Sequence, residues 1–164
     1  MNFFSNVRLI RHITFNLTLD SNFININGVL YFTADDGING IELWKSNGTD
    51  AGTVMVKDIK SGNLGSAPLN LTNVNGILYF TADDGIHGIE LWKSDGTAAG
   101  TLLVKDIWSG SNSSTPGYFA NVNGTLYFTA GDPVHGFELW KSDGSDAGTA
   151  LVKDIISGIG SSSP

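Results

Sequence analysis

The chain repeats itself at a fixed period of 48 residues. Asn25-Ile-Asn-Gly-Val-Leu-Tyr-Phe-Thr-Ala-Asp-Asp36 returns at 73–84 and again, with small changes, at 121–132, and Glu42-Leu-Trp-Lys-Ser46 recurs at 90–94 and 138–142. Between positions 25–72 and 73–120, 32 of 48 residues are identical without a gap. Repeats of this length are single supersecondary units that bury their apolar faces against their neighbours.

Each unit reads as four short strands, because no apolar 3.6-residue period runs long enough for a helix. In the middle unit these are expected at Leu69–Val74, Ile77–Ala82, Ile89–Ser94 and Thr101–Ile107. Asn75-Gly76, matched by Asn27-Gly28 and Asn123-Gly124, suits the two positive φ angles of a type I′ hairpin turn. Ser94-Asp95-Gly96-Thr97 supplies turn chemistry between the third and fourth strands. The second and third strands carry apolar residues on both faces (Leu78 and Phe80 against Tyr79, Leu91 against Trp92), so both faces of each sheet are expected to be covered. Four-stranded meanders of this length point to an all-β fold, a β-propeller of 48-residue blades. A β-solenoid, the competing architecture, is disfavoured by the paired Asn-Gly and Asp-Gly turns.

The 164 residues divide into an N-terminal extension (1–20) with a lone outer-type strand at 7–13, then blades at 21–68, 69–116 and 117–164. Propellers close with typically 4 to 8 blades, so three are expected to close by homo-oligomerisation. A head-to-tail dimer making a six-bladed ring is favoured over a nine-bladed trimer, and a piece of a longer array is the alternative.

Composition narrows the partners. With 16 acidic and 9 basic residues the formal charge is −7, and the basic residues are scattered singly, which argues against nucleic acid. The absence of cysteine excludes disulfides and thiolate chemistry. No apolar run is long enough for a membrane helix, and residues 1–12 lack the pattern of a signal peptide.

Glu90-Leu-Trp-Lys-Ser-Asp-Gly-Thr97 resembles the signature of the ELWxxDGT repeat family, long bacterial repeat proteins that are often secreted or at the cell surface. The resemblance covers about 140 of the 164 residues. Asn47 replaces the motif Asp in the first unit and Ser145 the motif Thr in the third. It implies a propeller-like repeat at an extracellular or surface location, and no known reaction. The same turn is similar to the Asp-box hairpin of sialidase propellers, whose aspartate is structural.

The units differ most in two loops, one after the fourth strand and one between the second and third, which a meander places on the same rim. Variable loops on a rigid scaffold are where binding usually sits. The candidate ligand-binding residues are therefore Asn39, His87 and His135, at one equivalent position, and Trp108, which offers a flat apolar plane to a sugar ring or a protein partner or else packs on its own blade. Trp44, Trp92 and Trp140 are expected in the core between blades. Asp35, Asp36, Asp83, Asp84 and Asp132 are weak candidates for Ca²⁺, with Asx turns the favoured role. No other cofactor is implied, and no catalytic motif is present. Glu42, Glu90 and Glu138 recur identically, which suits pairing with lysine or backbone better than catalysis. The expected function is a non-enzymatic binding or scaffold module, lectin-like in character. The alternatives are a fragment of a polysaccharide-active enzyme or a purely structural surface repeat.

Overall fold

The computed structural model describes residues 23–164; the extension and the strand expected at 7–13 lie outside them. The described residues hold twelve strands and no helix, in three four-stranded sheets. The first sheet is β1 (Ile24–Ile26), β2 (Val29–Asp35), β3 (Ile41–Ser46) and β4 (Val54–Lys57). The second is β5 (Leu69–Val74), β6 (Ile77–Asp83), β7 (Ile89–Ser94) and β8 (Leu102–Lys105). The third is β9 (Gly117–Val122), β10 (Thr125–Asp132), β11 (Gly136–Ser142) and β12 (Ala150–Lys153). Every sheet is an antiparallel meander in chain order.

Turn chemistry sets the register. Asn27, Asn75 and Asn123 have φ of 53°, 53° and 52°, and the glycine after each is also positive, as the Asn-Gly hairpins require. The resulting pairs Ile26↔Val29, Val74↔Ile77 and Val122↔Thr125 start the hairpins identically. The fourth strand is shorter than expected: β8 ends at Lys105, not Ile107. Beyond it the N–H groups of Ile107 and Trp108 turn to the Glu90 carboxylate instead of the β7 backbone.

The cores lie between sheets. Strand alternation sends Tyr31, Leu43 and Val56 to one face of the first sheet, where they cluster with Leu78, Phe80, Ala82 and Trp92 of the second. One period later Tyr79, Leu91 and Val104 cluster with Leu126, Phe128, Ala130 and Trp140 of the third. Trp92 and Trp140 are thus buried between sheets as expected, while Trp44 is half-buried. Phe80 and Phe128 are almost fully buried, each contributing about 2–3 kcal/mol through the apolar area removed from water. β5 touches β1 on one side and β9 on the other, so the first strands of the three sheets are neighbours.

Candidate functional site

One carboxylate per sheet builds the rim at which the two variable loops meet. Glu90, fully buried near the start of β7, accepts from the N–H of Ile107 at 3.1 Å, of Trp108 at 3.3 Å and of Ser114 at 2.9 Å, and from the Ser114 hydroxyl at 2.5 Å. Glu42 does the same with Lys60 and Ser66, and Glu138 with Ile155, Ile156 and Ser162. The serine carbonyls then reach the following sheet, Ser66 accepting from Asp83 N at 3.0 Å and Ser114 from Gly131 N at 2.9 Å. Each inter-sheet loop is therefore tied to the sheet it leaves by a side chain and to the sheet it enters by its backbone. Burial pushes the Glu42 and Glu90 carboxyls above their ordinary value, against the lowering effect of these bonds. Burial also raises Glu138, but there the Ser162 hydroxyl and the N–H groups outweigh it and the net direction is down. The glutamates pair with serine and with backbone N–H groups, that of Lys60 among them, and the Lys60 side chain goes to Asp83 instead.

The loop between the second and third strands is built on aspartate. Asp35 and Asp83 each accept from the N–H two residues on. Asp84 Oδ1 accepts from the N–H of Ile86 and of His87, both at 2.8 Å, and Asp84 Oδ2 lies 2.7 Å from His87 Nδ1. Asp132 holds Val134 and His135 in the same way, with Nδ1 at 2.8 Å. In the first sheet Asp36 takes the Asn39 amide at 2.8 Å, so Asn39 supplies with its side-chain N–H what the histidines supply with Nδ1. Asn39, His87 and His135 are each engaged inside their own loop. With Nδ1 at the carboxylate, Nε2 is the ring atom left to present outward, and about a third of each histidine side chain is exposed. The aspartate bond raises both histidines, and Asp106 and Glu90 add to the effect on His87. Burial acts to raise Asp84 and Asp132, yet their hydrogen bonds bring both below the ordinary carboxylate value. Each of the five aspartates considered for Ca²⁺ spends at least one oxygen on these turns, and among the described residues no three His, Asp or Glu gather to hold a metal ion. Asp58, Asp106 and Asp154 each keep one buried Oδ1 without a protein donor, an acceptor ordinarily met by water.

Position 60 and its equivalents vary in kind. Lys60 Nζ reaches Asp83 of the next sheet at 2.5 Å. One period later Trp108 replaces the lysine and Gly131 the aspartate, so cation and carboxylate disappear together. Trp108 is half-buried, its backbone held by Glu90.

Two features escaped the sequence reading. Ser66, Ser114 and Ser162 are identical in a loop that varies at most of its other positions, the Ser-Gly pair (Ser61-Gly62 in the first unit) and the closing proline (Pro68) excepted, which is the signal that could have revealed the lock. The second is Tyr118, 85 % exposed with φ of 53°. It lies in β9 at a bulge, in a conformation that its counterpart Asn70 (φ 59°) adopts far more readily. Asn70 Nδ2 donates to the Pro116 carbonyl at 3.2 Å, two residues before Tyr118. The visible trace is that tyrosine stands where the preceding unit has asparagine.

The opposite end of the sheets is uniform. Asp95 Oδ1 accepts from the N–H and hydroxyl of Thr97, and Asp143 and Asn47 repeat the pattern with Ser145 and Thr49. Lys45 and Lys93 donate across to the Gly96 and Gly144 carbonyls of the following sheets at 2.7 and 2.8 Å. Among the described residues no helix is long and apolar enough to cross a membrane. No family model, no curated protein and no solved structure matches the chain.

Proposed function

We propose that the three sheets are blades of a β-propeller repeat of the ELWxxDGT kind, and that the chain is a non-enzymatic binding module whose ligand surface is the Glu–Ser-locked rim. Four-stranded meanders packed face to face, with their first strands adjacent, support the blade reading. The observation that carries the function is Tyr118: an aromatic side chain held almost wholly in solvent, on backbone that disfavours it, beside a rim whose frame is constant and whose outward residues change from unit to unit. Strain of this kind is retained where the surroundings impose it and clusters at ligand sites.

The ligand class is a glycan. An aromatic plane stacks on the apolar face of a sugar ring, with Trp108 as a second plane and Asn39, His87 and His135 as polar contacts. The recurring glutamates serve as loop anchors, which favours binding over turnover, and the family resemblance favours a cell-surface or extracellular setting. The test is a thermal-shift screen of polysaccharides and cell-wall polymers, since a ligand selective for the native state raises its melting temperature. At least one glycan is expected to raise Tm, and Tyr118→Asn and Trp108→Ala to weaken its binding by about tenfold or more. No shift across the panel, or variants that bind like the wild type, overturns the reading.

A further inference from the structure

Asparagine is followed by glycine at positions 27, 39, 47, 75 and 123. A glycine has no side chain to keep its nitrogen from the carboxamide carbon of the asparagine before it. Attack at that carbon closes a five-membered imide and expels ammonia. Its ease depends on which way the carboxamide is turned, what stabilises charge on its oxygen, and where the glycine amide proton can go.

At four of these pairs the fold works against attack. In the hairpin turns the N–H groups of Gly28, Gly76 and Gly124 are held by the Asn25, Asn73 and Asn121 side-chain oxygens at 3.1, 2.8 and 3.0 Å, acceptors with no proton to pass on. The Asn27 and Asn75 amides reach across to Gly76 and Gly124 of the following sheet. Asn39 gives its amide to Asp36 Oδ2 at 2.8 Å, and a Cβ on Gly40 would collide with the Gly65 backbone.

Asn47 is arranged otherwise. It is exposed in the turn between β3 and β4, and its Oδ1 accepts from the Thr49 N–H at 3.1 Å and from the Thr49 hydroxyl at 2.7 Å. Reaching the N–H two residues on lays the carboxamide alongside the intervening Gly48 peptide, and Gly52 packs so closely on it that a Cβ there would collide with the amide. The two donors favour negative charge on the oxygen they hold: at the equivalent Asp95 and Asp143 the same pair, from Thr97 and Ser145, keeps the carboxyl below its ordinary value. On an amide they meet the oxyanion that forms when Cγ is attacked. The Gly48 N–H donates to the Ser46 hydroxyl at 3.0 Å, itself 2.8 Å from the Thr53 hydroxyl; a hydroxyl accepts one proton and gives up another.

We propose that Asn47 is a self-modification site, at which the turn built around aspartate in the other two units promotes deamidation of the asparagine that stands in this one. The Gly48 nitrogen loses its proton and bonds to Asn47 Cγ; the Cγ–Nδ2 bond breaks, and Nδ2 leaves with a proton as ammonia. Water then opens the imide. Opening at Cγ leaves aspartate, able to take the Thr49 bonds as Asp95 takes those of Thr97. Opening at the main-chain carbonyl leaves isoaspartate and lengthens the turn by a main-chain methylene. Either product adds one negative charge. The proposal rests on this turn alone, and neither the blade reading nor glycan binding bears on it.

Trypsin cuts after Lys45 and Lys57, so the peptide 46–57 carries Asn47 and no other Asn-Gly pair. The full chain is aged at mildly alkaline pH, folded and in urea, and mapped by mass spectrometry. Folding is expected to slow the mass gain of deamidation by about tenfold or more in the peptides carrying Asn27, Asn39, Asn75 and Asn123, and to leave it as fast or faster in 46–57. Asn47→Asp is expected to abolish the gain in 46–57 and to coelute on anion exchange with the acidic species that aged wild type forms. A peptide 46–57 that folding protects as it protects the hairpin peptides overturns the proposal, as does an acidic species whose mass gain maps to another asparagine.

Discussion

Removing a buried carboxylate that accepts four hydrogen bonds leaves its donors without partners, and each buried donor so stranded costs about 1–3 kcal/mol. Glu90→Gln keeps the shape but turns an amide N–H₂ toward donors, so unfolding in urea should show a loss of roughly 3 kcal/mol; Ser114→Ala, which removes one donor, should cost about 1–2 kcal/mol. The histidines make a prediction of opposite texture. The aspartate bonds raise His87 and His135 above 6.5 in the folded chain, so the stability they add is complete below that pH and is lost as pH rises through the raised values. The Asp84 and Asp132 contribution runs the other way, present above their ordinary 3.8 and lost as acid takes them through their lowered values. His87→Asn/His135→Asn, copying Asn39, should flatten the fall in stability between about pH 6 and pH 8, as urea melts at several pH values will record. Tyr118→Asn relieves backbone that Asn70 tolerates, and should raise stability by about 0.5–1 kcal/mol while weakening ligand binding.

At the scale of elements, the turn between third and fourth strands is a joint between sheets as well as a hairpin. Gly48 and Gly96 share φ of +87°, so alanine is strained equally at both, but a Cβ at Gly96 meets the Tyr31 hydroxyl while one at Gly48 meets nothing described. Gly48→Ala should therefore cost about 1 kcal/mol and Gly96→Ala distinctly more, the difference measuring the tyrosine seat; equal losses would show that the seat contributes nothing. Much of this was legible from local chemistry. β5 and β7 fall at Leu69–Val74 and Ile89–Ser94 as expected, because alternation and Asn-Gly turns act within a few residues. The fourth strand was overread because what ends it is Glu90, a residue 17 positions earlier in the chain that takes the Ile107 N–H. The Ser114 lock, 24 residues from Glu90, and the positive φ of Tyr118 depend likewise on where distant segments meet, and no local pattern encodes that. Among the candidate residues, the variable rim was recognisable, but the engagement of Asn39, His87 and His135 with their own aspartates was not.

For the whole molecule, the middle sheet contributes to both described cores, Leu78 and Phe80 to one and Leu91 to the other. Amide hydrogen exchange should therefore be slowest in β6 and β7 and fastest in β12, where Val152 and Lys153 are exposed; uniform protection across the three sheets would contradict a nearest-neighbour array. The one-way sense of the lysine, tyrosine and serine contacts has a genetic consequence. A coding segment duplicated in frame brings with it both halves of a junction, so unequal recombination lengthens or shortens the array without inventing a single new contact. The copies are then free to diverge at the rim, as Lys60, Trp108 and Ile156 do, without disturbing the contacts that join one sheet to the next.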